Sequence, residues 1–308
     1  MPLEVAAAVI QRADGAFLLA RRPPGKVYAG YWEFPGGKVE AGEPAERALA
    51  RELHEELGIE TQTAYPWLTR EYVYPHAAVR LNFFRVTAWR GDPHPRESQD
   101  IAWQRLGEPL ASPMLPANAP ILAALALPDE YAVTDAARYG AERMLAAVRH
   151  RLGGGLRLIQ VRDRGLAQRD DLIRAVLAAA RPAGARVLVS GGFPGADGVH
   201  FTADQLGALA KRPADGLAAA SCHDAADLAK AMSLGMDFVV LGPVKPTPTH
   251  PAARTLGWDG FARLVRGTTL PVYAIGGMTR ADLPQVWRAG GHGVAMIGGA
   301  WPGVRNAV

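Results

Sequence analysis

The stretch from Gly37 to Ile59, GKVEAGEPAERALARELHEELGI, decides the fold of the first part of the chain. Glu43-Pro44 is a helix-start signal, with Pro at the first helical position, and Gly58 is a stop signal of the left-handed cap type. One apolar residue recurs at every fourth position, which gives a single apolar stripe: Leu49, Leu53 and Leu57. The stretch therefore predicts an amphipathic helix that ends at Gly58.

Three glutamates share a second face of this predicted helix, because Glu52, Glu55 and Glu56 are spaced at i, i+3 and i+4. Like charges at that spacing repel by about 0.2–0.5 kcal/mol per pair. A divalent cation removes the repulsion, and carboxylate oxygens, waters and substrate phosphates form the octahedral shell that Mg²⁺ prefers. A solvated helix face is the alternative, since such patterns are common on exposed helices. The fixed spacing of Gly37, Glu43 and Arg51 around the glutamates favours the metal site over the solvated face.

The spacing of the whole stretch forms a longer signature. Gly37 is followed after five residues by Glu43, and after seven more by RELHEELGI, residues 51–59. This pattern resembles the box of the Nudix hydrolases, with every signature position filled. The flanking segments EFPGG (residues 33–37), Arg21-Arg22 and LPANAP (residues 115–120) are similar to those of the MutT-type members of that family.

The resemblance covers residues 3–127 and implies a Nudix α/β/α sandwich for this part of an α/β protein. It also implies Mg²⁺ as the cofactor, with Mn²⁺ as a substitute, and a small nucleoside triphosphate as the substrate. The implied reaction is hydrolysis of 8-oxo-dGTP to 8-oxo-dGMP and pyrophosphate, by attack of water on the β-phosphorus. The function would be to remove a mutagenic precursor from the nucleotide pool.

Specific residues of this sequence match the functional positions of the family. The metal is expected at Gly37, Glu52, Glu55, Glu56 and Glu97. Catalysis is expected from Glu52, Glu55, Glu97 and Arg51, where Arg51 would pair with Glu43 or a box glutamate and orient it. Substrate contacts are expected from Arg22, Phe34, Lys38 and Asn118.

Asn118 is the expected reader of the base, because its amide offers one donor and one acceptor. Guanine presents two acceptors, O6 and N7, on its major-groove edge, whereas N7 of 8-oxoguanine carries a proton. The mismatch with normal guanine would leave a polar group unpaired, at a cost of about 1–3 kcal/mol. A helix N-cap is the alternative role for Asn118. The alternatives for Phe34 and Lys38 are core packing and simple solvation.

The second part of the chain has a different pattern, which begins after Pro128-Asp129-Glu130. A length of 308 residues favours two domains, and we place them at residues 1–128 and 129–308. Alternation of strands and helices predicts a (β/α)8 TIM barrel, with strands at residues 131–135, 156–162, 186–190, 198–202, 217–221, 238–242, 272–276 and 293–297. The interval between Ser190 and Gly198 is too short for a normal connecting helix.

Short motifs in this part are similar to those of the thiamine phosphate synthases and the related TenI proteins. They are YAVTD (131–135), QVR (160–162), DGVH (197–200), LGP (241–243), PTPT (246–249) and AIGG (274–277). The resemblance spans residues 130–300 and implies a pocket for a phosphorylated ligand at Arg162, Thr247, Thr249, Gly276, Gly277 and Gly298.

Several positions depart from the synthase pattern. His250 stands where the pattern ends in lysine, Arg164 is the second basic residue after Gln160, and Ser190-Gly191 replaces an Asn-Asp pair. Gln205 replaces an acid, with Asp204 one position away. Both carboxylates expected for Mg²⁺ are therefore missing. We expect a degenerate barrel without synthase activity, which leaves a phosphate-ligand pocket, an isomerase-like activity or a structural role open.

Residue composition and charge bear on the ligands and the cellular location of the protein. Residues 1–128 hold 13 basic and 15 acidic side chains, a net charge of −2, whereas residues 129–308 hold 21 and 15, a net charge of +6. No basic-aromatic or zinc pattern argues for direct nucleic-acid binding. No segment predicts a membrane span or signal peptide, and Cys222 is the single cysteine. We expect a cytoplasmic enzyme, with hydrolysis of a thiamine-type diphosphate as the alternative activity.

Overall fold

The computed structural model describes residues 2–75, 77–247 and 254–304. The chain divides into two compact units, Met1–Ala126 and Leu127–Val308, and each is considered by itself. Thr249 and His250 lie outside the described residues. No helix within the described ranges is long and apolar enough to span a membrane.

The first unit combines two small sheets with two helices. Its strands are β1 (Leu3–Ile10), β2 (Phe17–Arg21), β3 (Trp32–Glu33), β4 (Gly36–Lys38), β5 (Glu60–Tyr74), β6 (Ala77–Arg90) and β7 (Asp100–Gln104). Its helices are α1 (Ala45–Leu57), a 3-10 turn (Pro116–Asn118) and α2 (Ala119–Leu125). One sheet has the order β4-β1-β6-β5 and the other has the order β3-β2-β7. β1 and β6 pair in parallel, and the other neighbours are antiparallel.

Strand β1 separates the two helices because its side chains alternate between the two faces of the sheet. Ala6, Ala8 and Ile10 share a core with the leucine stripe of α1. Ala7 and Val9 share a second core with Ile121 and Ala124 of α2. The layers are therefore helix, sheet and helix, and the predicted α/β/α sandwich is confirmed.

The predicted start of the helix in this unit needs correction. Pro44 has φ −65° and ψ 139°, so it precedes α1 as the N-cap residue and the helix begins at Ala45. Proline fixes φ but leaves ψ free to be extended. The long strands β5 and β6 pair along nearly their whole length. Gly58 has φ 68°, and its N–H donates to the His54 carbonyl, so the predicted left-handed cap is confirmed.

The second unit is a closed barrel of parallel strands. Its strands are β8 (Glu130–Val133), β9 (Leu158–Val161), β10 (Arg186–Ser190), β11 (Gly198–Phe201), β12 (Leu217–Cys222), β13 (Phe238–Leu241), β14 (Val272–Ala274) and β15 (Gly293–Met296). Its helices are α3 (Ala136–Tyr139), α4 (Ala141–Gly153), α5 (Arg169–Ala180), α6 (Ala203–Ala208), α7 (Ala225–Ser233), α8 (Gly257–Val265) and α9 (Leu283–Arg288). The predicted (β/α)8 barrel is confirmed. Residues 191–197 contain turns but no helix, as the short interval predicted.

The interior of the barrel is filled by aromatic side chains. Tyr131, Phe238 and Tyr273 are fully buried, and the ring of Phe238 meets the other two edge-on, with centroids 5.2 and 5.1 Å apart. The Tyr131 hydroxyl and the Nδ1 atom of His200 are 3.1 Å apart, and the Nε2 atom of His200 is 2.9 Å from the Ser221 hydroxyl. Both ring nitrogens of His200 therefore have partners that suit a neutral imidazole.

Acid should destabilise the barrel through His200. Burial, helped by the charge of Arg164, lowers the pKa of His200 from 6.5 to about 3. The unfolded state then takes up a proton below about pH 6.5 that the folded state resists, so stability falls with decreasing pH by up to about 1.4 kcal/mol per unit. Urea unfolding of His200→Gln should show a flatter dependence than the wild type between about pH 6.5 and 4.5.

His150→Gln is the matched control, because His150 lies exposed on α4. This variant should keep the wild-type slope of stability against pH. Identical slopes for His200→Gln and His150→Gln would show that His200 does not couple the barrel to pH.

Candidate active site

Two glycines bring a backbone turn against the glutamate face of α1. A Cβ atom on Gly36, whose φ is 142°, would lie 2.1 Å from the Ala6 carbonyl oxygen across the β1–β4 ladder. A Cβ atom on Gly37 would lie 2.1 Å from the carboxylate of Glu52. The carboxylate thus fills the space that any larger residue at position 37 would need. This contact is the physical reason for glycine at the start of the signature.

Arg51 gathers the carboxylates of α1 around one guanidinium. It donates to Glu43 at 3.1 Å, to Glu52 at 2.8 Å and to Glu55 at 3.3 Å. It also donates to the Lys38 carbonyl at 3.0 Å, which ties the helix to the end of β4. The hydrogen bonds with Glu43 and Glu52 raise the pKa of Arg51 above its usual range. Arg51 therefore stays cationic and orients the side chains of Glu52 and Glu55.

Glu56 is a strongly perturbed carboxylate of α1. Burial raises its pKa to about 8, and the charges of Glu33, Glu52 and Glu97 add to the rise. A hydrogen bond from the Gly36 N–H at 3.3 Å acts in the opposite direction. Four acidic side chains from three segments of the chain thus influence one another near the carboxyl-terminal half of α1, which is the charge distribution that a divalent cation would stabilise.

The loop that carries Glu97 is fastened to the end of α1. The Glu97 N–H donates to the Gln99 side chain at 2.7 Å, and the Gln99 amide donates to the Glu56 carbonyl at 2.8 Å. The Arg96 N–H donates to the same carbonyl at 3.0 Å. Gln99 is only 6% exposed. Sequence reasoning missed Gln99, because an amide in a polar turn carries no signal that it will be buried.

The donor set suits a hard cation, because the nearby groups are carboxylates and the backbone of Gly37. In the part of the chain that the structure describes, however, no three His, Cys, Asp or Glu side chains already form a metal cage. The contacts of Arg51 explain this, since they turn Glu52 and Glu55 toward the guanidinium. A cation bound at the predicted ligands would share or replace the contacts that Glu52 and Glu55 make with Arg51.

The predicted substrate residues differ in their surroundings. Asn118 is 4% exposed, its amide nitrogen lies 3.5 Å from the Trp32 carbonyl oxygen, and its side chain does not cap α2. Arg22 donates to both carboxylate oxygens of Glu33 at 2.7 and 2.8 Å. Phe34 is buried in the core, and Lys38 is exposed at the end of β4. A contact of any of these residues with a base or phosphate stays a prediction.

A tyrosine cluster, which sequence reasoning missed, borders the same region. It consists of Tyr28, Tyr31, Tyr72 and Tyr74, packed with Leu115 and Ala117 beside Asn118. Burial raises the pKa of Tyr74 to about 12, and the charge of Glu33 contributes to the rise. The spacing of Tyr72 and Tyr74 was the available signal, because alternate strand residues share one face.

In the second unit, the predicted phosphate-pocket residues follow the carboxyl ends of different strands. Arg162 follows β9 and pairs with Asp135 at 3.5 Å. Gly276 and Gly277 follow β14 with φ of 101° and 59°. Gly298 begins the 3-10 turn after β15, and Thr247 lies partly buried after β13. Thr249, the sixth predicted residue, is not among the described residues.

Comparison with known families matches both units. Residues 130–300 match the family described as Thiamine monophosphate synthase, and residues 6–124 match the one described as NUDIX domain. The chain belongs to the thiamine monophosphate synthase family and carries an N-terminal Nudix domain. Both resemblances read from the sequence are confirmed, as is the order of a Nudix domain followed by a TIM barrel.

Individual relatives cover one half each. The barrel is 35% identical over 178 residues to a putative thiamine-phosphate synthase of Geobacter sulfurreducens, which spans 54% of this chain and 84% of the relative. The Nudix domain is 41% identical over 128 residues to the CTP pyrophosphohydrolase of Escherichia coli, covering 40% and 90%. It is 38% identical over 120 residues to the 8-oxo-dGTP diphosphatase of Haemophilus influenzae, covering 39% and 88%.

Gly37→Ala should impair metal binding by the Nudix domain, because the new Cβ atom displaces the Glu52 carboxylate. We expect Mn²⁺ affinity, measured by electron paramagnetic resonance of the free ion, to fall by about 10–100-fold. Gly42→Ala is the control, because a Cβ atom there meets nothing within 4 Å, and its positive φ of 81° adds backbone strain that Gly37→Ala does not. Equal Mn²⁺ affinities of the two variants would rule out the displaced carboxylate as a ligand.

Proposed function

We propose that the Nudix domain hydrolyses 8-oxo-dGTP to 8-oxo-dGMP and pyrophosphate with Mg²⁺, for which Mn²⁺ can substitute. This activity would remove a damaged precursor before DNA replication uses it and so avoid mutation. The observation that carries the proposal is the buried amide of Asn118, which lies beside an aromatic cluster in the same domain as the glutamate face of α1. The similarity to 8-oxo-dGTP diphosphatases supports it.

The side chains of the domain contribute to the reaction in two ways, by positioning the acidic groups and by accepting a proton. Bound Mg²⁺ supplies charge neutralisation of the phosphates and a lowered pKa for the attacking water. Arg51 holds Glu52 and Glu55 on the side of α1 that faces Gly37, and Glu56 and Glu97 complete the acidic group. Water attacks the β-phosphorus, the bond from that phosphorus to the oxygen shared with the α-phosphorus breaks, and the nucleoside monophosphate leaves. We assign the proton of the water to the Glu97 carboxylate.

Selection of the damaged base rests on hydrogen-bond matching. The Asn118 amide can donate to O6 and accept from the N7 proton of 8-oxoguanine, whereas normal guanine presents two acceptors. Asn118 is nine-tenths buried or more, and its side chain is not used as a helix cap. An unmatched polar atom in such a place is costly, so the ratio of activities on the two nucleotides should depend on this one side chain.

Two other substrates are supported by specific observations. A thiamine-type diphosphate is favoured by the synthase-family barrel in the same chain. CTP is favoured by the 41% identity to a CTP pyrophosphohydrolase. In both cases the acidic face of α1 would act on the diphosphate in the same way. The three proposals therefore differ only in the group of the substrate that Asn118 and its neighbours contact.

Steady-state hydrolysis of 8-oxo-dGTP, dGTP, CTP and thiamine diphosphate with Mg²⁺ tests the proposal. We expect a preference for 8-oxo-dGTP over dGTP, which Asn118→Ala should reduce by about 5- to 150-fold, the equivalent of 1–3 kcal/mol. Glu52→Gln should abolish turnover of every substrate. Gln62→Ala, which removes an exposed amide on β5, should change neither ratio nor rate.

Other outcomes assign the substrate differently. Faster cleavage of CTP would keep the hydrolase class and remove Asn118 as the reader of an oxidised purine. Equal or faster cleavage of thiamine diphosphate would make the barrel family the guide to the substrate of both domains.

A further inference from the structure

The mouth of the barrel lacks the carboxylates with which this fold would hold a divalent cation. Ser190 is 4% exposed, and its hydroxyl accepts a hydrogen bond from Gln160 at 2.9 Å. Gln205 closes the capping box of α6 with Thr202. Gly191, which stands where the acid of the synthase pair is expected, has no side chain, and Gln205 is neutral, so neither position offers a carboxylate to Mg²⁺.

Two arginines reach these same neutral positions. Arg164, from the connection after β9, donates to the Gln205 side chain at 2.9 Å. Arg169, at the start of α5, donates to the Ser190 carbonyl at 2.6 Å. β10 lies between β9 and β11 in the barrel, so Arg169 reaches the carboxyl end of β10 and Arg164 reaches the helix that follows β11.

The positive charges of these two arginines are not neutralised. Within the described ranges neither forms an ion pair, whereas Arg162 pairs with Asp135 at 3.5 Å and Lys245 pairs with Asp282 at 2.8 Å. The Nε atom of Arg169 is buried and has no hydrogen-bond partner among the described residues. The charge of Arg164 reaches the barrel interior, since it helps to lower the pKa of His200.

We propose that Arg164 and Arg169 take the place of the divalent cation, so that the barrel binds the phosphate end of a ligand without Mg²⁺. Two guanidinium groups supply the same charge as one divalent ion. Their planar donors match phosphate oxygens in pairs, which a lysine cannot do. The ligand is therefore a phosphate or diphosphate ester whose anionic end lies over the carboxyl end of β10.

This inference does not depend on the substrate of the Nudix domain. It can be tested on the full chain carrying Glu52→Gln, which disables the other phosphate site. Isothermal titration with inorganic pyrophosphate is run in EDTA and in excess MgCl₂. We expect binding in EDTA to be at least as tight as binding with MgCl₂, and the further change of Arg164→Gln with Arg169→Gln to weaken it by at least about tenfold.

Arg174→Gln is the matched control, because it removes the same charge from an exposed position on α5 and should leave affinity unchanged. Arg164→Lys with Arg169→Lys keeps both charges and guards against misfolding. It should bind pyrophosphate more weakly than the parent and still without MgCl₂. Binding that requires MgCl₂, binding that survives the double glutamine change, or no binding in either buffer would each overturn the proposal.

Discussion

The guanidinium of Arg51 is the interaction on which the acidic face of the Nudix domain depends. Glutamates at i, i+3 and i+4 on one helix repel each other, yet α1 presents three of them toward Gly37. A single cation with several donors in a plane can serve Glu43, Glu52 and Glu55 at once, which the monodentate ammonium of a lysine cannot. Among the described residues Arg51 donates no hydrogen bond to Glu56, and burial raises the pKa of that carboxyl to about 8.

Close backbone and side-chain approaches explain why two glycines precede α1. The carboxylate of Glu52 has to approach the β4 backbone closely if that backbone is to share a ligand shell with it, and only a residue without a Cβ atom permits the approach. The leucine stripe on the opposite side of α1 fixes the rotation of the helix against Ala6, Ala8 and Ile10. Core packing thus sets which face is acidic, and the glycines set how near that face comes.

Features that depend on a few neighbouring residues could be predicted from the sequence. The stop at Gly58 and the eight barrel strands follow from a glycine where φ is positive and from repeated strand-helix spacing, both visible in short windows of sequence. The start of α1 was misplaced by one residue because Pro44 fixes φ without fixing ψ. Gln99, Glu33 and the tyrosine cluster escaped prediction because their importance comes from tertiary neighbours, namely the Glu56 carbonyl, Arg22 and the segment near Asn118.

The two domains carry opposite imbalances of charge, and this difference predicts different ligands. In the Nudix domain, carboxylates outnumber the cations that touch them, so the missing partner is a cation that can also hold phosphate oxygens. At the barrel mouth, the paired residues Arg162 and Lys245 are neutralised, whereas Arg164 and Arg169 meet neutral oxygens. The missing partner there is an anion. On the proposal made for the barrel mouth, uncompensated arginines in place of two carboxylates and their metal would keep an affinity for phosphate without the need for a divalent cation.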